Sequence, residues 1–131
     1  MGTKENNFMA QAKAIEVPPI EGGNGATDRC PMIDFVNLVS GKWAIPILYR
    51  LIVTGCPIRF GELQRAVAPI TQKELTRQLR LFEHRGLVYR RVYAEMPPRV
   101  EYEITPLGRT LRGTLDSLAH WMRVNASHLI T

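Results

Sequence analysis

The spacing of apolar residues changes several times along the chain, and each change marks an element. Behind Pro31, which suits a first helical turn, Met32, Phe35, Val36 and Val39 fall on one helical face before Ser40-Gly41 ends the segment. A second helix is predicted from about Lys42 to Val53, with Trp43, Ile47, Leu48 and Leu51 inward and Pro46 tolerated near its first turn. Gly55-Cys56-Pro57 reads as a turn, Ile58 as the start of a short strand, and Phe60 to Val67 as a brief helix with Phe60, Leu63 and Val67 inward. Ala68-Pro69-Ile70 then breaks the chain.

Thr71 opens the most informative helix. Its hydroxyl can cap the N-terminus, and Glu74 three residues on can complete a capping box. Leu75, Leu79 and Phe82 supply the buried stripe, and Arg85-Gly86 ends the helix. At about 100° per residue, with Lys73 taken as zero, Thr76 falls near −60°, Arg77 near +40°, Arg80 near −20° and His84 near +20°. These residues share the face opposite the leucines.

Two strands are predicted next, Leu87 to Tyr93 and Val100 to Ile104, the second alternating Val100, Tyr102 and Ile104 against Glu101 and Glu103. The stiff connector from Ala94 to Arg99 makes them a hairpin. Thr105-Pro106 then caps a long helix in which Leu111, Leu115, Leu118 and Met122 recur at spacings of four, three and four, with Trp121 beside the seam. Residues 1–29, with Pro18-Pro19 and the run from Glu21 to Gly25, show no sustained period and read as a flexible N-terminal arm. The expected organisation is that arm, followed by one domain over residues 30–131 with a dimerisation helix from about residue 106.

Charge sharpens this outline. The 131 residues carry a net charge of +5, and the segment from Pro57 to Val100 holds nine basic residues against four acidic ones, so the whole excess lies there. Eight of the nine are arginine, whose planar fork suits phosphate and guanine edges. A solvated basic surface is the plain alternative, but the excess coincides with a particular order of elements. Two helices, a short helix, a broken turn, an amphipathic helix with a basic outer face and a β-hairpin make a winged helix-turn-helix. The expected fold is therefore mainly α with a small β-hairpin wing; that it is dimeric is what its family resemblance implies.

In that fold an α-helix enters the major groove of duplex DNA while the hairpin meets neighbouring phosphates or the minor groove. Thr71, Gln72, Lys73, Thr76, Arg77 and Arg80 are the recognition-helix candidates. Gln72 can present a bidentate amide to adenine, Arg77 or Lys73 can engage guanine, and Arg80, deeper along the helix, meets phosphate. Arg90, Arg91 and Arg99 are assigned to the wing.

Cys30-Pro31, Gly41-Lys42-Trp43, Arg59-Phe60-Gly61-Glu62-Leu63, Thr71-Gln72-Lys73-Glu74-Leu75-Thr76, Arg85-Gly86-Leu87-Val88 and Pro97-Pro98-Arg99-Val100-Glu101-Tyr102 occur in this order. Together they resemble the HxlR-type transcriptional regulators over about Cys30 to Met122. The resemblance implies a bacterial or archaeal homodimer that binds a palindromic operator, with its interface in the N-terminal segment and C-terminal helix. It also implies that Cys30 stands where some members sense electrophiles or oxidants. Pro69 departs from the glycine frequent in the turn, and His84-Arg85 from a more acidic pair.

Independently of the resemblance, a helix N-terminus beside Arg29 favours the thiolate of Cys30. A cysteine before a helix can equally be a small buried hydrophobe. The seam of Leu111, Leu115, Leu118, Trp121 and Met122 either closes the intramolecular core or forms a dimer interface, and Leu107 and Leu129 widen its apolar surface toward the second. No phosphate loop, H-E-x-x-H or G-x-S-x-G occurs, so no enzyme, cofactor or metal role is expected. No apolar run reaches the roughly 20 residues of a membrane span, and no apolar leader is evident, which places the protein in the cytoplasm. The expected partners are double-stranded DNA, a second copy of the chain, and a small-molecule or oxidant effector. The competing reading is a winged-helix protein-interaction or RNA-binding module without operator recognition.

Overall fold

The structure, a computed structural model, describes residues 30–130; the expected N-terminal arm lies outside them. Two compact units meet at Ser40 and Gly41 in the sequence. Within the first, α1 (Pro31–Leu38) begins at Cys30, whose Sγ accepts the Met32 N–H at 3.4 Å. Met32 and Val36 of its expected inward face are exposed.

The second unit holds α2 (Ala44–Thr54), β1 (Ile58–Arg59), α3 (Phe60–Ala66), α4 (Gln72–His84), β2 (Val88–Tyr93), β3 (Arg99–Ile104), α5 (Pro106–Arg109), α6 (Arg112–Asn125) and a final 3-10 turn over Ala126–His128. Helix α2 begins two residues later than expected. Trp43 is its N-cap and only half-buried, with the Lys42 ammonium 5.0 Å from the ring centre. Phe60 is likewise half-buried, its ring 6.3 Å from that of Tyr102.

The core is formed by Ile47, Leu48 and Leu51 of α2, Leu63 of α3, Leu75, Leu79 and Phe82 of α4, Ile104 of β3 and Leu115 of α6. Full burial of a side chain of this kind contributes about 1.5–3 kcal/mol, so these residues dominate the choice of fold. The strands form an antiparallel sheet in the order β1-β3-β2. Val88 pairs with Ile104, Arg90 with Tyr102 and Tyr93 with Arg99, while Ile58 pairs with Tyr102 on the other edge. The short strand at Ile58 is thus the third member of the wing sheet.

Two glycines set the junction between α4 and the sheet. Gly86 has φ +77°, a conformation that side chains with a Cβ rarely adopt, and it reverses the chain after α4. A Cβ on Gly108 would lie 2.6 Å from both Ile104 Cδ1 and the Leu87 carbonyl oxygen, so α5 packs directly on the hairpin base. Thr105 fastens the same place. Its hydroxyl donates to the Gly86 carbonyl at 2.7 Å and accepts the Gly108 N–H at 3.0 Å.

The expected single C-terminal helix is two. After the short α5, the Thr110 hydroxyl donates to the Leu107 carbonyl and the chain turns at Thr110-Leu111 before α6 begins. A local hydroxyl–backbone bond of this kind competes with helix continuation. Leu111 is therefore the N-cap of α6 and not an interior seam residue. The Tyr49 hydroxyl of α2 donates to Asp116 Oδ1 at 2.6 Å and ties α6 to the body of the unit.

Candidate nucleic-acid interface

The Thr71 hydroxyl accepts the Glu74 N–H at 3.1 Å and starts α4 as its composition demands. Only this forward half of the expected capping box forms, because the Glu74 carboxylate pairs with Arg77 one turn along. Arg77 holds the Glu74 carboxyl below its ordinary value of 4.5. Leu75, Gln78, Leu79 and Phe82 are buried, and Gln72, Lys73, Arg77, Arg80 and His84 are exposed. Gln72, Lys73, Thr76, Arg77 and Arg80 line one continuous open surface. Five of the six recognition-helix candidates thus share this surface, while Thr71 stands at the cap and His84, expected on the same helical face, does not line it.

Between α4 and the hairpin runs a groove of about 580 Å³. Gln72, Thr76 and Arg80 line it from α4, Arg90 and the tip from Glu95 to Val100 from the hairpin, and Arg59, Phe60 and Gly61 from the junction of β1 and α3. Arg59, Arg80 and Arg90 make no ion pair among the described residues. Three cations from three separate elements therefore border a channel whose walls also carry amide and hydroxyl groups.

The three wing arginines stand in three different surroundings. Arg90 lines the groove, whereas Arg91 borders a crevice with Tyr89, Glu101 and Glu103. Hydrogen bonding to Tyr93 holds the Arg91 guanidinium above its ordinary value. Arg99 is folded back on the hairpin, its guanidinium 3.9 Å from the centre of the Tyr93 ring, 3.2 Å from Glu95 and 3.7 Å from Glu101. Its charge is largely compensated within the wing.

Sequence reasoning missed Arg59 as a site residue. It was counted in the basic segment, but its place at the junction of β1 and α3 only acquires meaning once β1 pairs with β3 and brings that junction to the groove. An arginine offers no side-chain acceptor, so the cap of α3 is the return bond alone, from the Arg59 N–H to Glu62 Oε1 at 3.3 Å. The arginine head is left for other partners.

Cys30 and Cys56 are both exposed. On α6, Leu115 is buried while Leu118, Trp121 and Met122 stay 46–52% exposed and Val124 55%; its N-cap Leu111 is half-buried, and Leu129, beyond the final 3-10 turn, is 44% exposed. The expected seam thus has a core end and a surface end. Among the described residues no His, Cys, Asp and Glu group could hold a metal ion, and no helix is long and apolar enough to cross a membrane.

A broken turn, a basic amphipathic helix and a three-stranded wing define a winged-helix transcriptional regulator, and comparison with known proteins agrees. The chain belongs to the HxlR-like helix-turn-helix family, which matches residues 38–129. It is 41% identical over 119 residues to a protein of Methanothermobacter thermautotrophicus described as an uncharacterized HTH-type transcriptional regulator, covering 87% of this chain and 89% of the relative. The redox regulator HypR in its reduced form superposes with a TM-score of 0.68 at 37% identity, over 74% of this chain and 94% of HypR. The reduced transcriptional regulator YodB of Bacillus subtilis gives 0.62 at 29%, over 72% and 91%. These relatives are regulators and not enzymes. Cys30 lies outside the residues that the family matches.

Proposed function

We propose that the chain is a cytoplasmic, sequence-specific regulator that binds a palindromic duplex-DNA operator as a homodimer and responds to thiol chemistry at Cys30. The observation that carries the DNA reading is the groove in which Gln72, Thr76 and Arg80 of α4 meet Arg59 and Arg90 from other elements. Gln72, Lys73 and Arg77 read base edges, while Arg59, Arg80 and Arg90 neutralise phosphates on either side of the helix. Arg91 and Arg99 contribute less because their charge is partly met within the sheet. The exposed end of α6 supports a second copy as partner, with Leu118, Trp121 and Met122 at the contact.

Cys30 supports the sensor reading by its exposure and by its place at the N-terminus of α1, where its sulfur accepts the Met32 N–H. Similarity to a redox regulator points the same way. Modification of the thiol is expected to weaken operator binding, and a Cys30→Ser chain that keeps full oxidant sensitivity would sink that part.

The deciding experiment is selection of duplexes from a random pool by the purified chain at about 50 and 200 mM salt, with sequencing of the retained DNA. A two-fold symmetric motif, with affinity lost about a thousandfold if six or more phosphates are neutralised, is the expected result. Failure to retain duplex DNA under reducing or oxidising conditions would favour a module that binds protein or RNA.

A further inference from the structure

The wing of a DNA-binding protein is commonly thought of as a cationic finger, but this one has an apolar tip. Met96 is 93% exposed, at the end of the hairpin, and is followed by Pro97 and Pro98. The nearest cation, Arg99, is held against the Tyr93 ring and paired with Glu95 and Glu101. The tip from Ala94 to Pro98 has a single charged residue, Glu95, and that carboxylate is the one that meets Arg99. A single exposed apolar side chain is ordinary on a protein surface; what distinguishes Met96 is its place at the end of a hairpin, beside two prolines and free of uncompensated charge, bordering a basic groove. The tip also borders the groove that carries Gln72, Thr76 and Arg80, so it lies on the side of the molecule that faces DNA.

We infer that Met96 is an apolar wedge that enters the minor groove next to the major groove occupied by α4, an inference that rests on the DNA-binding reading above. An unbranched thioether is narrow and adaptable enough to lie against sugar and base edges, and methionine is among the side chains that proteins insert between base steps from the minor groove. Flexible pyrimidine–purine steps open at the lowest cost, so the wedge favours such steps at the flanks of the motif. The neutral tip separates two tasks. Arg59, Arg80 and Arg90 supply the salt-dependent attraction, and Met96 supplies a contact that releases no counterion.

That separation gives the test. Duplexes enriched from a random pool by the unaltered full-length chain are titrated at a series of salt concentrations with the unaltered chain, Met96→Ser, Met96→Leu and Met96→Arg. Met96→Ser is expected to bind about tenfold more weakly at every salt concentration, with the slope of log affinity against log salt unchanged. Met96→Leu keeps most of the affinity, and Met96→Arg steepens the slope by about one phosphate. Replacing a pyrimidine–purine flank by a stiff A-tract weakens the unaltered chain and leaves Met96→Ser indifferent. Equal binding by the serine chain, or a loss accompanied by a shallower slope, overturns the wedge while the regulator reading stands. An unaltered chain that binds no duplex overturns that reading and the wedge with it. Circular dichroism of the serine chain that matches the unaltered protein excludes misfolding as the source of the loss.

Discussion

Arg90 and Arg91 are consecutive in β2, so their side chains leave the sheet on opposite faces. Arg90 lines the groove beside Arg80, and Arg91 lies among Tyr89, Glu101 and Glu103. Assignment of both to the wing agrees with the strand that is found, but the alternation gives them different surroundings. Arg90→Ala is therefore expected to weaken binding to selected and random duplexes alike and to lower the salt slope by about one, whereas Arg91→Ala changes the slope little. Titrations of both variants at several salt concentrations check this, and equal slopes for the two would contradict the placement. Arg77 is a different case because it already pairs with Glu74. An exposed i,i+3 pair of this sort is weak in water, so a guanine edge can displace the carboxylate. Arg77→Ala is expected to relax base preference at about 1–3 kcal/mol per affected contact, seen as a larger loss on the selected motif than on random DNA.

At the scale of elements, the junction of α4, the hairpin and α5 decides how the wing is held relative to the recognition helix. Gly108→Ala places a methyl against the Leu87 carbonyl, a backbone atom that cannot move aside alone. A loss of about 1–3 kcal/mol of stability is expected from such overpacking, measured by urea unfolding of the variant beside the unaltered chain. The tie between α2 and α6 has its own signature. Hydrogen bonding to Tyr49 holds the Asp116 carboxyl below its ordinary value of 3.8, and the same bond holds the Tyr49 hydroxyl above 10.0. For Asp116 the contribution is present above the unfolded value and is lost as pH falls through the lower folded one. For Tyr49 it is present below the unfolded value and is lost as pH rises through the higher folded one. Tyr49→Phe should thus lower the melting temperature by a constant amount between those limits, with the gap closing at acid and alkaline extremes. A gap that stayed constant at both ends would show that the hydroxyl carries nothing specific.

The elements of the second unit were legible because local signals agree with the packing. The Leu75, Leu79 and Phe82 stripe, the Thr71 cap and the Gly86 terminus all specify the same helix, and each is found. What escaped the sequence depended on pairings distant in the chain. The close seat of Gly108 against the Leu87 carbonyl joins residues 21 apart, and the place of Arg59 reflects a strand pairing more than 40 residues away, Arg59 with Glu101. Periodicity has no access to either. Helix α6 shows the same limit at the scale of the whole molecule, because one leucine repeat has two environments. Leu115 is 3% exposed and belongs to the core, whereas Leu118, Trp121 and Met122 remain on the surface. Leu115→Ala is therefore expected to cost about 2–5 kcal/mol of stability through the cavity it leaves, without any specific effect on assembly. Trp121→Glu should leave the fold's urea midpoint close to that of a monomeric unaltered chain and shift sedimentation from dimer to monomer. Two recognition helices in a symmetric dimer stand about 34–36 Å apart, one turn of DNA, or a multiple of that spacing, so the monomer loses the advantage of a second half-site. The same Trp121→Glu chain should then bind a palindrome and a single half-site with similar affinity. A dimer that persists in that variant would move the interface off α6 and leave its apolar end to another partner.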